Sequence, residues 1–298
     1  MIVPAALQHT LAGSAVCSGV GVHSGRSVRL VLRPAPVNAG IVFIRTDLKG
    51  VDNRVRVSSS AVARTQLNTE IVNAEGTAVS TIEHLMAALS ALDVDNAVVE
   101  LDEPELPIMD GSALPFVQLI DRAGRRTQNA PRRFIEVLDR VEVIDGDKRA
   151  ALSPAPVFKL DFEIAFTSAA IGRQRIALNV TEAAFRRELA AARTFGFVHE
   201  VEALRAAGLA RGGSLENAVV VDGDRVLNPE GLRMDREFVR HKALDAVGDL
   251  YVLGAPVIGR FECRYGGHAL NNKLVRALET RPEAWRVRTF EAELAEAV

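Results

Sequence analysis

The sequence predicts an α+β fold built in two halves, and two observations carry this. Short strand-like runs mix with helical periodicity in no regular βαβ order, which favours layered α+β architecture over a doubly wound parallel sheet. A polar, punctuated segment, Gly124-Arg125-Arg126-Thr127-Gln128-Asn129-Ala130-Pro131-Arg132-Arg133, interrupts the chain before strand-like residues resume. The domain boundary is placed there, giving domains 1–127 and 128–298.

In the first half, residues 28–32 and 41–44 are rich in β-branched side chains and bounded by Gly and Pro, which marks strands, and residues 98–101 form another. Residues 80–92 carry Ile82, Leu85, Met86 and Leu89 at helical spacing and open on a serine suited to capping. Asp110-Gly111-Ser112 is turn chemistry ahead of a second helix through residues 116–120. The second half repeats this logic, with strands at 134–137, 158–162 and 176–178 and helices near 182–192, 236–253 and 269–280.

At 298 residues, 48% hydrophobic and 25% charged, the chain can bury a sizeable core. Its 36 Lys and Arg against 38 Asp and Glu leave a net charge of -2, so no global field recruits nucleic acid or an anionic membrane. Two cysteines, Cys17 and Cys263, exclude a disulfide framework and a cysteine-rich structural zinc site. Any metal must therefore be held by His and carboxylates. Met1-Ile2-Val3-Pro4-Ala5-Ala6-Leu7 has no basic stretch ahead of its apolar residues, and no run approaches the roughly 18 apolar residues of a membrane span. The expectation is a cytoplasmic enzyme.

His241 and Asp245 stand four apart in a helical segment, so an imidazole and a carboxylate project together as two ligands for one metal ion. The polar arc they share with Lys242, Gly248 and Asp249 faces a cleft or solvent, and an ordinary solvated helix face explains the spacing equally well. Glu83-His84 offers a third ligand beside a carboxylate able to activate water, although Ser80-x-x-Glu83 also reads as a capping box. Two glycines before His268 let the backbone turn tightly and present it at an exposed helix start, with Asp249 available to keep it cationic; a surface or capping histidine is the alternative.

Four long motifs together carry a resemblance: Ser80-Thr81-Ile82-Glu83-His84-Leu85, Ala192-Arg193-Thr194-Phe195-Gly196-Phe197, His241-Lys242-Ala243-Leu244-Asp245-Ala246-Val247-Gly248-Asp249-Leu250 and Gly267-His268-Ala269-Leu270-Asn271-Asn272-Lys273. Gly19-Val20-Gly21-Val22-His23-Ser24-Gly25, Pro107-Ile108-Met109-Asp110-Gly111-Ser112 and Arg211-Gly212-Gly213-Ser214 add to it. From near the N-terminus to about Phe290 the chain resembles the zinc-dependent UDP-3-O-acyl-N-acetylglucosamine deacetylases of lipid A biosynthesis.

The resemblance implies two α/β-sandwich domains, layers of helices on mixed sheets, with an inserted acyl-chain passage near residues 197–213 of the second. It implies that His84, His241 and Asp245 bind Zn²⁺, that Glu83 is the general base, and that Thr194 supports the oxyanion. His268, oriented by Asp249, is implied to be a cation that stabilises charge or protonates the leaving amine, while Lys242, Phe195, Leu67 and His23 meet substrate. In Thr65-Gln66-Leu67-Asn68-Thr69, the residues Thr65, Leu67 and Thr69 match the family's inhibitor- and substrate-lining loop, while Asn68 departs from the small Cys or Ser expected there, which bears on pocket shape rather than on metal chemistry. The implied substrate is an amphiphilic UDP-sugar, handled by a monomer with at most transient contact with the inner membrane. Two other classes compete. A different zinc amidohydrolase or peptidase would use the same ligands, but the peptidase helix pattern His-Glu-x-x-His is absent, and a non-catalytic sugar-nucleotide binder would need neither Glu83 nor an open metal position.

Overall fold

A computed structural model describes residues 6–290, so the outer ends of both expected domains, 1–5 and 291–298, lie outside the described residues. The chain has the expected α+β character, arranged as two five-stranded mixed sheets of the same topology. The first comprises β1 (Ala15–Val20), β2 (Ser27–Pro34), β3 (Ile41–Arg45), β4 (Arg54–Arg56) and β5 (Ala97–Leu101) in the order β1-β2-β5-β3-β4. The second comprises β6 (Val141–Asp145), β7 (Lys148–Ser153), β8 (Lys159–Ala165), β9 (Arg173–Asn179) and β10 (Arg260–Arg264) in the order β6-β7-β10-β8-β9. In each sheet the last strand enters antiparallel to the second and parallel to the third.

The helices obey the same symmetry. Helix α1 (Glu83–Ala91) precedes β5 and α2 (Leu114–Ala123) follows it. After α3 (Glu182–Glu188) and α4 (Val198–Ala206), α5 (Glu237–Leu250) precedes β10 and α6 (His268–Glu279) follows it. Among the described residues, no helix is long and apolar enough to cross a membrane.

Helices α1 and α5 pack on each other, and small residues set how closely. A Cβ on Gly248 would lie 2.0 Å from the carbonyl oxygen of Glu83, so only glycine lets the two backbones meet there. Ala87, Ala88, Ala243 and Ala246 are buried with them. Leu85, Met86 and Leu89 are wholly buried, each stabilising the packed state by about 1.5–3 kcal/mol relative to exposure.

One strand was not expected, and two helix bounds change. Within the polar segment 124–133, Arg125–Pro131 is a strand, antiparallel to Leu7–Leu11, so the position 127/128 falls inside a paired element. Its side chains are mostly exposed and polar, and its hydrogen-bond partner is more than a hundred residues away, so it carries no hydrophobic period. The helix expected over 182–192 ends at Glu188, where Leu189 and Ala190 turn into the core. The one expected over 236–253 is α-helical to Leu250 and closes with a 3₁₀ turn, Tyr251–Leu253.

Candidate metal centre

Helix α1 begins at Glu83 without a side-chain cap, so the capping-box alternative does not form. Ser80 Oγ instead donates to the carbonyl of Pro104, and Glu83 Oε2 accepts the backbone N–H of Thr69 at 3.0 Å. Glu83 is buried, and burial raises its carboxyl above the ordinary range against the opposing charges of His268 and His84.

The polar arc of α5 is not a solvated face. His241, Asp245 and Asp249 are 2%, 2% and 4% exposed, because α1 lies close to this part of the helix. His84 Nε2 approaches Asp245 Oδ1 to 3.5 Å and His241 Nε2 approaches the same oxygen to 3.3 Å, with the two rings edge to face at 5.0 Å. One ligand atom from each residue lies within 4.8 Å of the other two. Asp245 Oδ1 is buried without a hydrogen-bond partner among the described residues, a costly state unless a cation satisfies it.

The protonation states suit such a cation. Burial pushes His241 down to about 4, opposed by Asp245, which leaves a neutral imidazole. Its Nδ1 is 3.0 Å from the carbonyl of Ala192, a contact that fixes the ring and leaves Nε2 for the cluster. Burial alone would raise Asp245, but a protonated His241, where it occurs, and the Lys242 ammonium beside it hold the carboxyl well below the usual carboxylate range. Two imidazole nitrogens and a carboxylate oxygen fit a metal ion.

His268 opens α6 and is buried rather than exposed. Its Nδ1 lies 2.8 Å from Asp249 Oδ2 and its Nε2 3.8 Å from Asp245 Oδ2. Burial favours the neutral ring, yet the charge and hydrogen bond of Asp249, with help from Asp245, push His268 up to about 9.

Thr194 is fixed through its backbone: its N–H donates to Gly111 O and its carbonyl accepts from Val219 N, both at 2.8 Å. Gly111 has φ +84°, and a Cβ there would meet Asn217 O at 2.0 Å, so this turn requires glycine. Phe195 stands edge-on to Phe238 at 5.0 Å and 6.4 Å from the His241 ring. Lys242 Nζ is 3.4 Å from Asp245 Oδ2. His23 is held by its backbone N–H on Glu105 Oε1 at 2.8 Å, and Leu67 sits exposed with φ +72°.

All the residues expected at the site except Asp249 line one cavity of about 750 Å³. Asp249 reaches it through His268. Val198, Val201 and Leu204 of α4 line the same cavity, and α4 has no buried residue of its own. Asn68 is buried and is not among the cavity's lining residues, and its amide donates to Thr81 Oγ1, which is, at 2.9 Å.

Two participants, Asn271 and Phe166, had no role in the sequence reading, and Thr69 takes one other than lining the substrate loop. Asn271 Nδ2 donates to Asp249 Oδ2 at 2.8 Å, and its place three residues after His268 on a helix was the available signal. Thr69 Oγ1 donates to Asp249 Oδ1 at 2.7 Å from a loop with no such signal. Phe166 extends the aromatic wall, 5.7 Å from Phe195 and 5.8 Å from Phe197.

Residues 8–280 match the family described as LpxC: UDP-3-O-acyl N-acetylglycosamine deacetylase. A UDP-3-O-acyl-N-acetylglucosamine deacetylase of Phenylobacterium zucineum is 69% identical over 291 residues, 98% of this chain and 99% of that protein. One from Shewanella oneidensis is 49% identical over 288 residues, covering 96% of this chain and 94% of its own length.

Proposed function

Because the chain belongs to the LpxC family of UDP-3-O-acyl N-acetylglycosamine deacetylases, we propose that it hydrolyses the N-acetyl group of a UDP-3-O-[(3R)-3-hydroxyacyl]-N-acetylglucosamine in lipid A biosynthesis. The products are acetate and the free 2-amine. The observation that carries the reading is the convergence of a buried carboxylate, Glu83, with the His84, His241 and Asp245 cluster in one cavity.

An amide is a poor electrophile, so its hydrolysis needs an activated water, a home for the oxyanion and a proton for the amine. His84, His241 and Asp245 are assigned as ligands of zinc, which when bound lowers the pKa of water from about 15.7 towards about 7 and polarises the carbonyl. Glu83 removes the proton from the attacking water, and its buried carboxylate is a stronger base than a surface glutamate. The Thr194 hydroxyl donates to the oxygen as negative charge develops there. His268 is cationic at neutral pH and turns Nε2 away from Asp249, placed to stabilise that charge or to protonate the departing nitrogen.

Lys242, Phe195, Leu67 and His23 bind the sugar nucleotide and its acyl arm. The apolar side chains of α4 supply the wall along which the acyl chain runs. The reading includes a cytoplasmic monomer that touches the inner membrane at most transiently. Zinc-loaded protein is expected to release acetate from this substrate by mass spectrometry, fastest at the acyl length that fills the cavity. No acetate, or full activity in Glu83→Ala, ends the proposal.

A further inference from the structure

Asp249 presents a fully committed carboxylate. Oδ2 accepts His268 Nδ1 and Asn271 Nδ2, each at 2.8 Å, and Oδ1 accepts the Thr69 hydroxyl at 2.7 Å. Three donors from three directions leave the group no rotation, so the direction in which it holds the His268 ring is fixed. Thr69 also donates its backbone N–H to Glu83 Oε2 at 3.0 Å and accepts the N–H of Ile82 at 3.3 Å, just ahead of α1. One residue thus touches the carboxylate on α1 and the carboxylate on α5. Thr69 is buried and does not line the cavity, so it meets no substrate.

We infer that Thr69 is a positioning residue that sets the proton acceptor, Glu83, and the His268–Asp249 pair in register across the cleft. This rests on the roles assigned above to Glu83 and His268. Glu83 is held through the main chain, which side-chain substitution leaves in place, so the hydroxyl acts on the Asp249 side alone. Removing it frees Asp249 to rotate and His268 to swing with it, which affects the chemical step and not the binding of substrate.

The test compares Thr69→Val, which keeps the shape and loses the hydroxyl, with Thr69→Ser, which keeps the hydroxyl and loses the methyl. Thr69→Val is expected to lower kcat about 10- to 100-fold with KM within about twofold, since small misplacements of reacting groups cost that much. Thr69→Ser should recover kcat to within about threefold of wild type, and Thr69→Val placed on Asp249→Asn should change kcat less than about twofold, because the two act through one contact. Wild-type turnover on the same substrate tests the functional reading, and only the Thr69 series tests this inference. Serine as slow as valine, a rise in KM in place of the fall in kcat, or a full valine effect on Asp249→Asn overturns it. So does a loss of folding or metal content that accounts for the fall in kcat, which would leave Thr69 a merely structural residue.

Discussion

Arg193 and Glu237 form an ion pair sealed from solvent, Nε to Oε1 at 2.9 Å with side chains 1% and 0% exposed. The Arg193 backbone N–H also donates to Glu237 Oε1, at 3.0 Å, and its guanidinium reaches Glu230 Oε1 and Gly231 O. Arg193 sits between Ala192, whose carbonyl orients His241, and Thr194. Glu237 opens α5 one turn before His241. The pair therefore fixes how the segment 192–194 lies on the helix that carries two of the cluster's residues.

Replacing Glu237 leaves the buried Arg193 guanidinium with the exposed Glu230 carboxylate as its remaining charged partner. Glu237→Gln is expected to cost about 3–5 kcal/mol of stability, the usual loss on breaking a buried pair, read from urea denaturation. It should also weaken zinc retention about 10- to 100-fold, because the contact that orients His241 is loosened. A loss under about 1 kcal/mol, typical of exposed pairs, would mean that water reaches the site on substitution.

Gly248 gives a sharper steric prediction. A methyl group there would lie 2.0 Å from Glu83 O and 3.1 Å from Ala87 N, both main-chain atoms that cannot step aside. Gly248→Ala should destabilise the chain by about 1–3 kcal/mol or more, although alanine favours helix over glycine by roughly 1 kcal/mol. The readout is a fall in thermal midpoint together with lower bound zinc, since α1 and α5 carry the cluster's residues between them. An unchanged midpoint would place the helices further apart than described.

Much of this was legible because it is periodic. The i, i+4 spacing of His241 and Asp245 puts them on one face, and they share one; residues 134–137 form the expected strand. Periodicity does not say what a face packs against. The polar arc of α5 has the pattern of a solvated surface, and α1 and the Thr69 loop from the other half, with α6, turn it into a buried wall. Thr69 and Asp249 meet across 180 residues of sequence, as Arg193 and Glu237 do across 44, and such pairs leave no trace in a local window. The strand Arg125–Pro131 was hidden for a related reason: an exposed polar edge needs its backbone partner and little else.

The proposed ligands and the proposed base should separate by metal content. His241→Ala removes one of the three proposed ligands and leaves Asp245 Oδ1 still unpartnered, so elemental analysis after dialysis should find well under one zinc per chain. Glu83→Gln keeps all three ligands and a similar shape, so it should retain about one zinc per chain while kcat falls on the order of 10²–10⁴, the contribution of a placed general base. Zinc lost from both variants equally would make Glu83 a member of the metal site and remove it as the base.

A pH effect on stability should come from far outside the cleft. His9, in the strand Leu7–Leu11, has its Nδ1 buried without a hydrogen-bond partner among the described residues, while its backbone N–H donates to Asp95 Oδ2 at 2.8 Å. Burial, helped by Arg132 and Arg125, lowers its pKa against the opposing charges of Asp95 and Asp93. The unfolded imidazole takes up its proton near about pH 6.5, and the folded one only below that, so in this window the unfolded state binds more protons. Stability therefore falls as the pH drops below about 6.5 and levels off once the folded value is passed. His9→Gln lacks this titration, so the stability difference between wild type and variant should shrink from pH 8 to pH 5.5 in paired urea denaturations. A difference that stays constant would mean that Asp95 and Asp93 cancel the effect of burial, and one that grows towards acid would mean that they outweigh it.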